Sequence, residues 1–269
     1  MDWSKTKSIF IFVFLILNIF LYLQYLNNYN EAQKVEEPGE KDIEVRLKED
    51  NITYDALPTN IETATYITGK VKNFNIDELP VSAKQSYNIE SDNNTLVVTL
   101  REPIKLRSID EVESFQEFLQ QYVYEGSSYK VWNIDADEGS AICFQRMNDS
   151  TLYNGFVKVY FNEDGEVYKY EQKMLENLEE LNRKKNIFTP IQIIQSLYAK
   201  NLLKPDSHIT SMELGYSTLV QLTQTQVFAP TWEVRVETAD GMNEQFFVNA
   251  VEGKVIDMQL DVKDVEEEE

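Results

Sequence analysis

The sequence predicts an α+β protein with an N-terminal transmembrane helix, followed by two similar modules, each a helix packed on an antiparallel sheet. Three observations lead there. Residues 9–26 read IFIFVFLILNIFLYLQYL, without a charge. The order helix, three strands, glycine turn, strand occurs twice downstream. Each of the two helices has a capping sequence before it and an apolar stripe along it.

The opening run suits a hydrocarbon core of about 30 Å at ~1.5 Å per residue. Lys5 and Lys7 precede it, and the next cation is Lys34. The positive-inside rule then puts residues 1–8 in the cytoplasm and everything after the anchor outside. A cleaved signal peptide is the rival reading. It would show small residues at a cleavage site, and the flank Tyr25-Leu26-Asn27-Asn28 has none. The sequence therefore predicts an uncleaved single-pass anchor embedded in the lipid bilayer.

Residues 27–60 are expected to form a juxtamembrane linker, in which 43–48 is either a short helix or an extended piece. The first module covers 61–176. It begins with strands at 85–90 and 95–101, joined by Ser91-Asp92-Asn93-Asn94. Ser108 and Glu111 have capping-box spacing. Val112, Phe115, Phe118, Leu119, Tyr122 and Val123 then recur at helical intervals until Gly126. Strands follow at 129–134, 141–146, 156–161 and 166–171, the last pair joined through Asp164-Gly165.

The second module covers 177–262. Residues 177–185 read as a charged helical connector. Thr189 and Gln192 form another capping box, with Pro190 at the first helical position, where its missing N–H costs nothing. Ile191, Ile194, Leu197, Tyr198 and Leu202 make the stripe, and Pro205 ends it. Strands are expected at 209–216, 231–238, 245–250 and 254–259, with the hairpin turn at Glu252-Gly253. Residues 263–269 are an acidic tail, expected to be solvated.

Chemistry is scarce. The formal net charge of −21 argues against nucleic acid as a partner. The single cysteine, Cys143, allows no internal disulfide and lies in an apolar strand pattern, as a small buried hydrophobe. His208 is the one histidine, and it sits at a helix–strand junction without a second base, nucleophile or metal ligand. Asp135-x-Asp137-Glu138-Gly139 has too few of the positions of a calcium loop and reads as a hairpin tip. No G-x-S-x-G, Walker or Rossmann pattern occurs. The sequence predicts no enzyme, no cofactor and no metal.

The anchor is more polar than a tether requires. Asn18 lies near its midpoint, and Phe14, Tyr22 and Tyr25 share its face at helical spacing. Either this face binds a partner helix, an amide contact contributing about 0.6–2 kcal/mol, or one amide is tolerated and the tyrosines are interfacial residues.

The opening Met1-Asp2-Trp3-Ser4-Lys5-Thr6-Lys7, running into Ile9-Phe10-Ile11-Phe12, resembles the YycI (WalI) family of low-GC Gram-positive bacteria. The closing hairpin, Val248-Asn249-Ala250-x-x-Gly253-x-Val255, agrees with it and is similar to PepSY-type modules. The resemblance implies an accessory regulator of the WalK–WalR (YycG–YycF) system, which controls cell-wall metabolism. It implies two partners, the sensor histidine kinase (WalK/YycG-like) and a YycH-like membrane-anchored protein. It also implies a PepSY/YycH-like fold at the outer face of the cell membrane, and it makes the anchor, residues 9–26, the kinase-facing element; the face of Phe14, Asn18, Tyr22 and Tyr25 read from helical spacing is then the expected contact. The alternative is a PepSY-like extracellular binder or inhibitor of a peptidase, with the helix as a simple tether.

Overall fold

A computed structural model of the protein describes residues 3–33, 40–59, 61–90, 94–218 and 225–256. The acidic tail lies outside the described residues. Helix α1 runs from Trp3–Gln33. Helix α2, Glu40–Glu49, decides the open reading of 43–48 in favour of helix. Ile43 and Leu47, one turn apart, are buried in the same core as the second-module helix. Asn51 takes a left-handed conformation (φ 54°), and Ile52 N–H closes back on the Leu47 carbonyl at 2.7 Å, ending the helix.

The first unit follows the expected order, with longer strands. Strands β3 (Gln85–Ile89) and β4 (Leu96–Lys105) precede helix α3 (Val112–Tyr122). After it come β5 (Tyr129–Asp135), β6 (Ser140–Met147), β7 (Ser150–Phe161) and β8 (Glu166–Lys173). The second unit has helix α4 (Pro190–Ala199), then β10 (His208–Ser217), β11 (Thr225–Glu237), β12 (Asn243–Asn249) and β13 (Val255–Ile256). Strand β1 (Thr53–Tyr54) lies parallel to β10. Strand β2 (Thr63–Val71), which periodicity did not reveal, is sandwiched between β9 (Leu175–Asn186) and the start of β11.

Among the described residues these thirteen strands form one hydrogen-bonded, mainly antiparallel system, with the path β13-β12-β11-β10-β7-β8-β4-β3. Strand β6 joins it beside β7, and β5 beside β6. The helices divide the apolar interior. Phe115, Phe118 and Leu119 of α3 pack with Leu96, Val98, Val157, Val159 and Tyr170. Ile193, Ile194 and Leu197 of α4 pack with Trp232, Val234 and Val248.

Three expectations are corrected. First, Ser108 and Glu111 do not make a capping box. Glu111 is the N-cap of α3 and is extended, with no side-chain cap bond. Ser108 Oγ is already occupied, accepting the Asp110 N–H at 3.3 Å in a local turn, while Ser108 N–H donates to Ser114 Oγ at 3.1 Å. Second, residues 177–185 are not helical. They lie in β9, an edge strand paired antiparallel with β2, so partner pairing overrides the helix preference of Leu, Glu and Lys. Asn177, at φ 52°, falls where the register between the two strands slips. Third, the stripe of α4 is rotated: Ile193 is fully buried, whereas Ile191 is only partly so. The Gln192 half of the second box does form, with Thr189 N–H donating to Gln192 Oε1 at 2.8 Å.

Candidate functional site

Two places merit description, the exposed helix at the start and the joint between the units. On α1, Phe14 and Tyr22 are exposed, as are Phe10–Leu23 generally. At 100° per residue, positions 14, 18, 22 and 25 fall on one face. The side chain of Tyr25 lies outside the described residues. Asn18 spends one N–H within its own helix, donating to the Phe14 carbonyl at 2.8 Å. An asparagine amide has a second N–H and an oxygen acceptor, so this bond does not use up the side chain. Among the described residues no helix is long and apolar enough to cross a membrane. The expected span 9–26 extends past them, since the side chains of 9, 25 and 26 are not described.

The joint was not anticipated. Along β11 the side chains alternate: Trp232 and Val234 enter the core under α4, while Glu233 and Arg235 point to the opposite face. On that face Phe247 and Ile256, from β12 and β13, meet Phe144, Tyr153 and Phe156 from β6 and β7, with Trp132 against them. The rings interlock edge to face, with centroids 5.0 Å apart for Trp132–Phe144, 5.3 Å for Phe144–Tyr153 and 4.9 Å for Tyr153–Phe247.

A bulge in β7 makes this contact possible. Phe144 pairs with Phe156, but its neighbour Gln145 pairs with Leu152, so Tyr153, Asn154 and Gly155 are extra residues. They are turned toward other elements. Asn154 Oδ1 accepts the Thr218 N–H at 2.9 Å, and Tyr153 OH donates to Glu233 Oε2 at 3.1 Å. The Gln145 amide fills the gap in the ladder. It donates to the Leu175 carbonyl and accepts from the Leu175 N–H, each at 2.8 Å. Beside the bulge, β7 and β10 pair in parallel over Gly215↔Thr151 and Tyr216↔Leu152. A Cβ on Gly215 would stand 2.6 Å from the Tyr153 ring and 2.7 Å from the Thr151 carbonyl, so no larger residue fits.

Glu233 is 2% exposed. Its Oε1 accepts from Trp132 Nε1–H at 2.7 Å and from Arg235 Nε–H at 2.6 Å, and its Oε2 accepts from Tyr153. The Arg235 guanidinium lies 4.9 Å from the Trp132 ring centroid and also donates to the Trp132 carbonyl at 3.3 Å. Burial, and then the neighbouring Glu233 charge, push the Tyr153 phenol well above its ordinary range, which keeps it a neutral donor. The buried carboxylate is thus met by an indole, a phenol and a guanidinium, and the arrangement holds two units together. It offers no group poised to attack a substrate.

The remaining sequence candidates are placed simply. His208 is half exposed at the start of β10. One ring nitrogen is 2.7 Å from Thr53 Oγ1 and the other 3.3 Å from Asp55 Oδ1, so the ring ties β1 to β10. Cys143 is fully buried, and burial pushes its thiol up, away from the reactive thiolate. At the tip of the β5–β6 hairpin, Asp135 Oδ1 accepts the Glu138 N–H at 2.9 Å, using an oxygen a cation would need. Among the described residues no group of three or more His, Cys, Asp or Glu is arranged to hold a metal.

One signal of the joint was present in the sequence: Tyr153-Asn154-Gly155 interrupts the strand that holds them. Glu233 gave none, because in Trp232-Glu233-Val234-Arg235-Val236-Glu237 it alternates with apolar residues as a solvent-facing charge does.

Comparison with known proteins places the chain. No curated protein matches it. Among solved structures, an uncharacterized protein from Eubacterium rectale aligns over 78% of this chain and 92% of its own, at 11% identity and a TM-score of 0.48. YycH from Bacillus subtilis aligns over 70% of this chain and 53% of its own, at 13% identity and a TM-score of 0.44. The model of the family described as YycI protein matches residues 30–251, most of the sequence, and the chain belongs to the YycI family.

Proposed function

We propose that this protein is a membrane-anchored accessory regulator of the cell-wall-controlling sensor histidine kinase of the WalK/YycG type, acting by contact and without catalysis. Membership of the YycI family, over residues 30–251, carries this reading. In it, α1 anchors the chain in the cell membrane of a Gram-positive bacterium, with the N-terminus cytoplasmic and the rest extracytoplasmic. The face bearing Phe14, Asn18, Tyr22 and Tyr25 packs against the kinase's own transmembrane helices, and a YycH-like protein is the second partner. The outer part then comprises two similar modules, at 61–176 and 177–262; of the expected linker at 27–60, α2 and β1 pack with the second unit.

The physical mechanism is a population shift. A helix that packs better against one kinase conformation favours it, by no more than the difference in affinity between the two. The second N–H and the oxygen of Asn18 supply the directional part of that contact. Asn18→Leu keeps insertion favourable and removes it. At about 0.6–2 kcal/mol, kinase association in a membrane two-hybrid assay should weaken about three- to thirtyfold, with abundance unchanged. Replacement of residues 9–26 by polyleucine should abolish regulation of cell-wall hydrolase genes. If both variants associate and regulate normally, recognition lies outside the membrane and α1 is a tether.

A further inference from the structure

The outer face of the first unit carries an unexpected concentration of cations for a chain of net charge −21. Across β7 and β8, Phe156 pairs with Lys173, Lys158 with Glu171 and Tyr160 with Lys169. On the neighbouring strands Lys130 pairs with Phe144, and Ile142 with Lys158. Paired residues share a face, so Lys130, Lys158, Lys169 and Lys173 stand together on the side away from α3. Aromatic rings hold their stems. Lys158 and Lys169 lie 5.2 and 4.7 Å from the Tyr160 centroid, and Lys173 lies 5.7 Å from that of Phe156. Glu171 answers Lys169 at 2.7 Å and accepts from Tyr160 OH at 3.1 Å. Lys158 is different. It is 8% exposed, yet it has no ion-pair partner among the described residues. A cation taken this far from water calls for a carboxylate.

The described chain ends at Ile256, and Ile256 is packed in the same cluster as Phe156 and Ile142, the neighbours of Lys158 on this face. The residues that follow are Asp257-Met258-Gln259-Leu260-Asp261-Val262-Lys263-Asp264-Val265-Glu266-Glu267-Glu268-Glu269. At ~3.3 Å per extended residue, this segment reaches roughly 40 Å, ample to cross the four strands at about 4.8 Å spacing. We infer that the acidic C-terminal segment, residues 257–269, docks on the lysine and tyrosine face of β7 and β8, with its carboxylates answering Lys158 and Lys173. The segment thereby occupies a surface fit for an extended acidic polypeptide, and a partner that binds there must displace it.

Carbodiimide coupling of the full chain in detergent tests this, with peptides read by mass spectrometry. Amide links are expected from Lys158, Lys169 or Lys173 to the carboxylates of 257–269, alongside the internal control Lys72–Glu176, whose atoms lie 3.4 Å apart. Mixing isotopically heavy and light chains distinguishes links within a molecule from links between molecules. Lys158→Gln with Lys173→Gln should reduce the tail links at least fivefold and spare the control. A chain ending at Ile256 should bind a fluorescent hexaglutamate peptide at least fivefold more tightly than the full chain. Control links without tail links, tail links only between heavy and light chains, or equal peptide binding by the two chains would each overturn the inference.

Discussion

The two units have the same order of helix, strands and glycine turn, yet they secure their helices by opposite means. In the first, the carbonyl end of α3 is sewn from inside. Gln85 Nε2 and Tyr170 OH both donate to the Tyr122 carbonyl, at 2.7 and 3.1 Å, and Gln172 Nε2 donates to the Tyr124 carbonyl at 2.8 Å. In the second, α4 is sewn from its rim. Ser196 Oγ and Lys200 Nζ both donate to the Gly253 carbonyl at 3.2 Å, and Tyr198 OH donates to Asp50 at 2.6 Å. The hairpins are closely alike. Asn162 N–H donates to the Glu166 carbonyl at 3.1 Å, and Asn249 N–H to that of Lys254 at 2.8 Å. One plan uses donors that are buried, Gln85, Tyr170 and Gln172, and the other donors that are partly or fully open to water, which can replace them more readily.

The largest effect tests whether the units are separable. Trp232→Ala and Phe115→Ala each empty a fully buried site, one in each core, and should cost about 3–5 kcal/mol. Because the joint couples the cores, calorimetry of the full chain should show one transition, lowered by either substitution. Two transitions, each responding only to its own mutation, would mean that Glu233 and its partners do not couple them.

Next comes alkaline pH. Burial pushes the Tyr129 and Tyr170 phenols up, so above the unfolded value of about 10 the unfolded chain loses protons that the folded chain keeps. Stability is therefore fully present below pH 10 and falls above it, with a limiting slope of ~1.4 kcal/mol per pH unit for each group. Urea unfolding from pH 9 to 11 should show this decline. A Tyr170→Phe variant should decline less steeply, and an unchanged slope would mean that this phenol ionises in place.

Smaller is the hairpin test. Gly165 and Gly253 have φ of 71° and 66°, where a β-branched side chain is strained. Gly253→Val should cost about 1–3 kcal/mol, whereas Glu252→Gln should change thermal stability little. Equal melting temperatures for the two variants would remove the strained-turn account. The smallest effect contrasts the two ways of sewing a helix. Lys200→Gln, at the exposed rim, should stay within about 0.5 kcal/mol, while Gln172→Leu, which deprives the Tyr124 carbonyl and the Tyr129 hydroxyl of their buried donor, should cost about 1–3 kcal/mol. Similar losses would show that burial does not set the difference.

Sequence periodicity revealed what local forces control. Both helices, the Gly165 and Gly253 turns, and the cores around Phe115 and Ile194 were legible because their apolar spacing and turn residues act over a few positions. Strand β9 was not, because Leu, Glu and Lys favour a helix locally and only the distant β2 makes them a strand. The Ser108 box failed because a local turn takes the Ser108 hydroxyl, which accepts the Asp110 N–H in place of a cap bond. The joint was hidden for a third reason. Glu233 shares the polar phase of its strand with Arg235 and Glu237, which reads as a solvent-facing side, and nothing nearby in the chain says that Trp132 and Tyr153 will cover and answer it.

That distance has a consequence for how the molecule assembles. Trp132 and Tyr153 wait for a residue 101 and 80 positions further along the chain. During synthesis the first unit is complete well before Glu233 is made, and loop closure over such separations is slow. Until then Phe144, Phe156 and Trp132 form an uncovered aromatic patch beside a strand bulge. The vulnerable interval of this protein is therefore the arrival of its second half, when a chaperone that recognises aromatic surface has most to protect.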